Sequence, residues 1–123
     1  MTDDIAKPDK PKRPQQVFTL LIEVGRKAGD GLPKGATGAA LLCYSTGVTE
    51  EEAVRETVAV LKTADMAPLD VTGYGTLEER LAQGHEIGED ERALMERALA
   101  DNAVVVAQVT PFFSDAERLR ALE

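Results

Sequence analysis

The sequence predicts a small α+β domain, a two-layer sandwich in which a four-stranded mixed sheet carries two main helices on one face. Three observations lead there. Four stretches show the alternation or continuous apolar run of strands. Two others carry an apolar stripe at helical spacing behind an acidic first turn. The elements follow in the order β-β-α-β-α-α-β, with a short extra helix among them. With 123 residues and 43% apolar side chains, the chain can fill one core without disulfides or metal. Two Tyr, three Phe and no Trp make that core mostly aliphatic.

Residues 1–15 stand apart. Pro8, Pro11 and Pro14 alternate with charges, and the segment holds little besides Ile5 to bury, so it reads as a disordered Pro/Lys-rich tail. The folded domain spans 16–123. Its first strand runs from Gln16 to Val24, with Phe18, Leu20, Ile22 and Val24 on one side and Val17, Thr19, Leu21 and Glu23 on the other. A glycine-rich loop, 25–38, leads to a second strand at about 39–46.

Thr49 and Glu52 form a capping-box signal, and Val54, Val58 and Leu61 recur at helical spacing before Pro68 forbids continuation. A third strand is expected at about 69–74, with Leu69 and Val71 facing inward. Thr76 and Glu79 open a short helix that Gly84 ends, and the second main helix covers about 89–101. The run 103–110 is almost wholly apolar and reads as a central strand ended by Pro111. Ser114 and Glu117 start a short C-terminal helical turn. In topology this order loosely resembles ferredoxin-like domains, although the helix expected between the first two strands is missing. That resemblance implies a fold and no particular activity.

Charge narrows the partners. The net charge is −8; residues 1–15 contribute +1, leaving −9 on the body. Such a body repels phosphate backbones and anionic lipid, which argues against nucleic acid and membrane partners. Cys43 is the single cysteine, which suits a reducing compartment, and the N-terminus shows no signal-peptide pattern. A cytoplasmic protein is the expectation.

The chemistry is sparse. Within the loop, Lys34 precedes Gly35 and the segment runs into a strand, so it fails the phosphate-loop pattern and reads as a mobile connection. His85 is the only histidine; Glu86, Glu89 and Asp90 lie near it without metal-motif spacing. Cys43 between Leu42 and Tyr44 reads as a buried hydrophobe. No catalytic residue, metal site or cofactor is assigned.

A ligand, if there is one, would sit at the C-terminal ends of parallel strands. Ser45, Thr46, Tyr74, Thr76 and His85 are its candidate contacts. Val17, Leu21, Tyr74, Val104 and Val106 are expected to line the sheet face without helices, a half-apolar patch suited to self-association or a protein partner. The alternative is that the C-terminal segment folds back over it. On balance the sequence reads as an acidic interaction or regulatory module able to form a homodimer. The alternative is a small-molecule-binding protein or small enzyme using the Tyr74–Thr76 turn and His85.

Overall fold

The computed structural model describes residues 14–123. The expected tail therefore lies outside the described residues except for Pro14 and Gln15, which are exposed. Strands β1 (Gln16–Val24) and β2 (Gly38–Gly47) form a hairpin. Helix α1 (Glu50–Thr63) leads to β3 (Pro68–Thr76), and helices α2 (Leu77–Ala82) and α3 (Glu89–Asp101) lead to β4 (Val104–Phe112). Helix α4 (Asp115–Ala121) follows.

The sheet order is β3-β1-β2-β4, and every ladder is antiparallel. This corrects the mixed sheet. Strands β2 and β3 do run in the same direction across the α1 crossover, but β1 lies between them, so no parallel ladder forms. The order is also unlike that of ferredoxin-like domains. Strand β4 is an edge, not a central strand, and Val106 and Val109 are 42% and 45% exposed. Pro111 does not end it. It pairs with Ala39 on the edge strand, where a missing N–H can face solvent.

The two main helices take opposite faces, which corrects the two-layer sandwich. Phe18, Leu20, Ile22, Val24, Ala39, Leu41 and Cys43 pack against Ala53 and Leu61 of α1 on the first face. On the second, Tyr44, Val17, Leu42 and Val105 pack with Met95 and Ala98 of α3. Strand alternation produces this division. Leu20, Ile22 and Leu41 are wholly buried, and each such side chain contributes about 1.5–3 kcal/mol.

The helix boundaries follow local chemistry. Thr49 accepts from the Glu52 backbone N–H, while Glu52 reaches back one residue further than a standard box and accepts from the Val48 N–H at 2.7 Å. At Thr76 the box is complete, with both reciprocal bonds present. Helix α3 ends where Asn102 turns left-handed at φ 49°, which lets the Ala103 N–H reach the Ala98 carbonyl. Ser114 accepts from the Glu117 N–H to start α4.

Two edge-strand irregularities shape the second face. Between Leu42 and Cys43 the β4 register skips Ala107, so Ala107 and Gln108 both turn toward the α3 side. Between Thr19 and Leu20 the β3 register skips Tyr74, and the neighbouring Gly75 adopts φ 90°. A further shift at the start of β3 leaves Leu69 64% exposed, against the expected inward position.

The glycine-rich loop is organised. Asp30 is buried; its carboxylate accepts from the Lys27 N–H at 2.8 Å, the Leu32 N–H at 3.0 Å and the Arg26 Nε at 3.0 Å. These bonds hold its pKa down at about 2. The loop ends where Gly38 lies under the Phe112 ring, and a Cβ there would fall 2.9 Å from the ring carbons. Among the described residues, no helix is long and apolar enough to cross a membrane.

Candidate functional site

The second face is not fully covered. Between α2 and α4, on the α3 side of the sheet, lies a groove of about 390 Å³ whose floor crosses three strands. Thr19 and Leu21 of β1, Ala40 and Leu42 of β2, and Gln108 and Thr110 of β4 form that floor. Tyr74, Arg80 and His85 wall one end, and Ala121 and Glu123 wall the other. The volume is within the range of small-molecule sites.

The wall at the α2 end is a connected polar network. Leu77 of α2 packs into the α3-side core, and Arg80, three residues later, points to the same side. The Arg80 Nε donates to His85 Nδ1 at 3.0 Å, and its Nη1 donates to Thr19 Oγ1 at 3.2 Å and to Glu91 Oε2 at 3.3 Å. The same Glu91 oxygen accepts from the hydroxyl of Tyr44, a wholly buried side chain. Desolvation first, then the Glu91 carboxylate, push the Tyr44 phenol well above its ordinary pKa, so it stays a donor. Glu91 lies on the stripe that continues through Leu94, Met95 and Ala98, which places a carboxylate on the buried side of α3. His85 stacks edge-on against Tyr74, with ring centroids 6.5 Å apart.

The tautomer of His85 follows from its neighbour. A guanidinium only donates, so Nδ1 is the acceptor and the neutral ring carries its proton on Nε2. Thr19 likewise spends an acceptor position on Arg80 and retains a hydroxyl proton to donate. This end of the groove is therefore a set of donors on an apolar floor.

The five expected ligand residues part company. Tyr74 and His85 meet in the groove. Ser45 is wholly buried on the opposite face, hydrogen-bonded to Thr57 of α1. Thr46 bonds to the Ala98 carbonyl at 2.8 Å and pins β2 to the end of α3. Thr76 is occupied as the α2 cap. With no parallel ladder, the strand-end argument that grouped them does not apply. Among the described residues no group of three or more His, Cys, Asp or Glu is placed to hold a metal ion. Cys43 is buried, and desolvation pushes its thiol up to about 12.

The five expected interface residues do not form one patch either. Val17, Leu21 and Tyr74 lie on the α3 side, whereas Val104 packs into the α1-side core and Val106 pairs with Cys43 on that face. The C-terminal segment does fold back over the α3 side: Arg118 of α4 bonds Glu23, and Ala121 lines the groove.

Sequence reasoning missed Arg80, Glu91, Thr19 and Gln108. Three left a signal. Arg80 is the one cation of α2, one turn from its partly buried Leu77; Glu91 interrupts an apolar stripe; Thr19 is the lone hydroxyl among the apolar residues of β1. Gln108 left none, because a bulge sets its direction.

No curated protein and no solved structure matches this chain. A family model does match residues 17–113, from β1 to just beyond β4, a span that includes the α2 wall and the whole floor of the groove. The chain belongs to the family described as Domain of unknown function (DUF8846).

Proposed function

We propose that this domain binds a small polar molecule in the groove on the α3 side of the sheet. One observation carries the reading: Tyr74 and His85 are gathered with Arg80 and Thr19 around a single cavity. Buried polar networks are costly unless fully satisfied, and this one leaves its remaining donors facing open space. The test is a fragment screen read by ¹H–¹⁵N NMR. Binders should perturb Thr19, Tyr74 and His85, and the perturbations should vanish in Tyr74→Ala and His85→Ala. Hits that map elsewhere, or survive both substitutions, would end this reading.

A second reading, an acidic interaction module that self-associates in the cytoplasm, draws on the β4 edge. Val106 and Val109 sit exposed there on the α1 side, and edge strands are templates for pairing. Light scattering at micromolar concentration tests it. A monomeric mass would remove the homodimer.

A further inference from the structure

The two ends of the groove differ in chemical sense. At the α2 end the available groups are donors. Arg80 Nη2 has no partner among the described residues, His85 presents Nε2–H, and Thr19 keeps a hydroxyl proton. At the other end stand acceptors. The Gln108 amide nitrogen is turned to Thr110 Oγ1 at 3.3 Å, which leaves its carbonyl oxygen free for the groove, and Glu123 adds a carboxylate. Leu21, Ala40 and Leu42 form the apolar floor between the ends.

Formal charge sharpens the choice. The charged groups of the lining are Arg80 at one end and Glu123 at the other, and Glu91, outside the lining, offsets part of the Arg80 charge. A simple anion would meet donors at one end and repulsion at the other. A simple cation would meet Glu123 but leave the donor wall facing nothing. The strand order puts β1 and β4 two positions apart, about 10 Å at ordinary strand spacing, so the two ends suit groups separated by several bonds.

Resting on the groove reading above, we infer that the ligand is a small zwitterion. Its carboxylate would lie against Arg80, His85 and Thr19, and its cationic group against Glu123 and the Gln108 carbonyl, with a short apolar chain between.

The probes are γ-aminobutyrate, butyrate and butylamine, titrated into the full chain and followed by ¹H–¹⁵N NMR. γ-Aminobutyrate should perturb signals at both ends and bind roughly tenfold more tightly than either single-charge probe, the scale of one charge-assisted contact. Glu123→Gln, an exposed change that leaves the core alone, should bring γ-aminobutyrate down to the level of butyrate. Arg80→Gln strips Glu91 of its cationic partner and can unfold the domain, so His85→Phe serves as the companion variant and should weaken both carboxylates. If butyrate or butylamine matched γ-aminobutyrate in the wild type, the groove would bind ligands but the zwitterion inference would be wrong. If no probe perturbed the groove, the inference would fail outright. The fragment screen would then decide separately whether the groove binds anything.

Discussion

Arg118 grips Glu23 with two bonds, Nε to Oε2 at 2.7 Å and Nη2 to Oε1 at 3.0 Å, and so fastens the last helix to the first strand. Glu23 needs that cation. Across the β1–β3 ladder it stands directly opposite Asp70, and like charges facing each other on a sheet repel. Hydrogen bonding and attraction to Glu23, with a smaller pull from Asp70, raise the Arg118 pKa above its ordinary value. Arg118→Ala should therefore speed amide exchange in 115–121, and added salt should do the same in the wild type, because the pair is partly exposed. Unchanged exchange in α4 would mean that the half-buried Ala121 and Leu122, not the ion pair, set its stability.

Asp30 predicts a pH dependence with a definite sign. Its folded pKa of about 2 lies below the ordinary value of 3.8, so the stability it contributes is fully present above about pH 4. That contribution is lost as the pH falls toward 2. Denaturant unfolding of the wild type and Asp30→Asn across this window should show a shallower pH slope in the variant. Parallel slopes would show that other carboxylates drive the acid loss.

The two helix caps can be weighed against each other. Thr49→Ala should cost roughly 0.5–2 kcal/mol by denaturant titration. Thr76→Ala removes a complete box from a much shorter helix, and its more telling effect should be local. Arg80 rides on that helix, so the Thr19 and His85 resonances should shift. A silent groove in Thr76→Ala would show that α2 is held by Leu77 alone.

Cys43 should be inert in the folded protein. Buried among aliphatic side chains with its pKa near 12, it should resist a thiol reagent at pH 8 and react only at the rate of unfolding. Labelling faster than global unfolding would reveal local opening of the β1–β2 hairpin.

Val106→Lys should change stability by no more than about 0.5 kcal/mol, as for other half-exposed edge positions. A larger loss would mean that Val106 is covered in solution, and light scattering would then identify a second copy as the cover.

The elements were legible because local physics writes them. Alternation marked β1 to the residue, and capping signals at Thr49, Thr76 and Ser114 marked three helix starts. Their arrangement was not legible. Val104–Phe112 looks central because it is apolar, yet it is an edge whose valines are partly exposed. A hydrophobic run records burial preference, not position in the sheet. The site fell between these cases. Tyr74 and His85 were visible as residue types, but Arg80 and Glu91 become partners only when two helices pack on the same side of the sheet. Ser45 and Thr46 look alike in sequence and face opposite ways in the fold.

The skipped Ala107 in β4 acts as a phase changer along one strand. Before it, even-numbered residues such as Val104 and Val106 face α1; after it, Gln108 and Thr110 face the groove. The extra residue thus shifts the numbering and not the faces of the strand. Removing Ala107 would straighten the ladder and leave every other residue on its present face, with Gln108 and Thr110 still toward the groove and Val109 still toward α1, because the bulge sets Ala107 and Gln108 on the same side. Side-chain substitutions along β4 would each alter one position, but pairing Ala107 in the regular ladder at unchanged length would exchange the inside and outside of half a strand. Among natural variants of this chain, loss of the residue at 107 should therefore be tolerated with the groove floor unchanged.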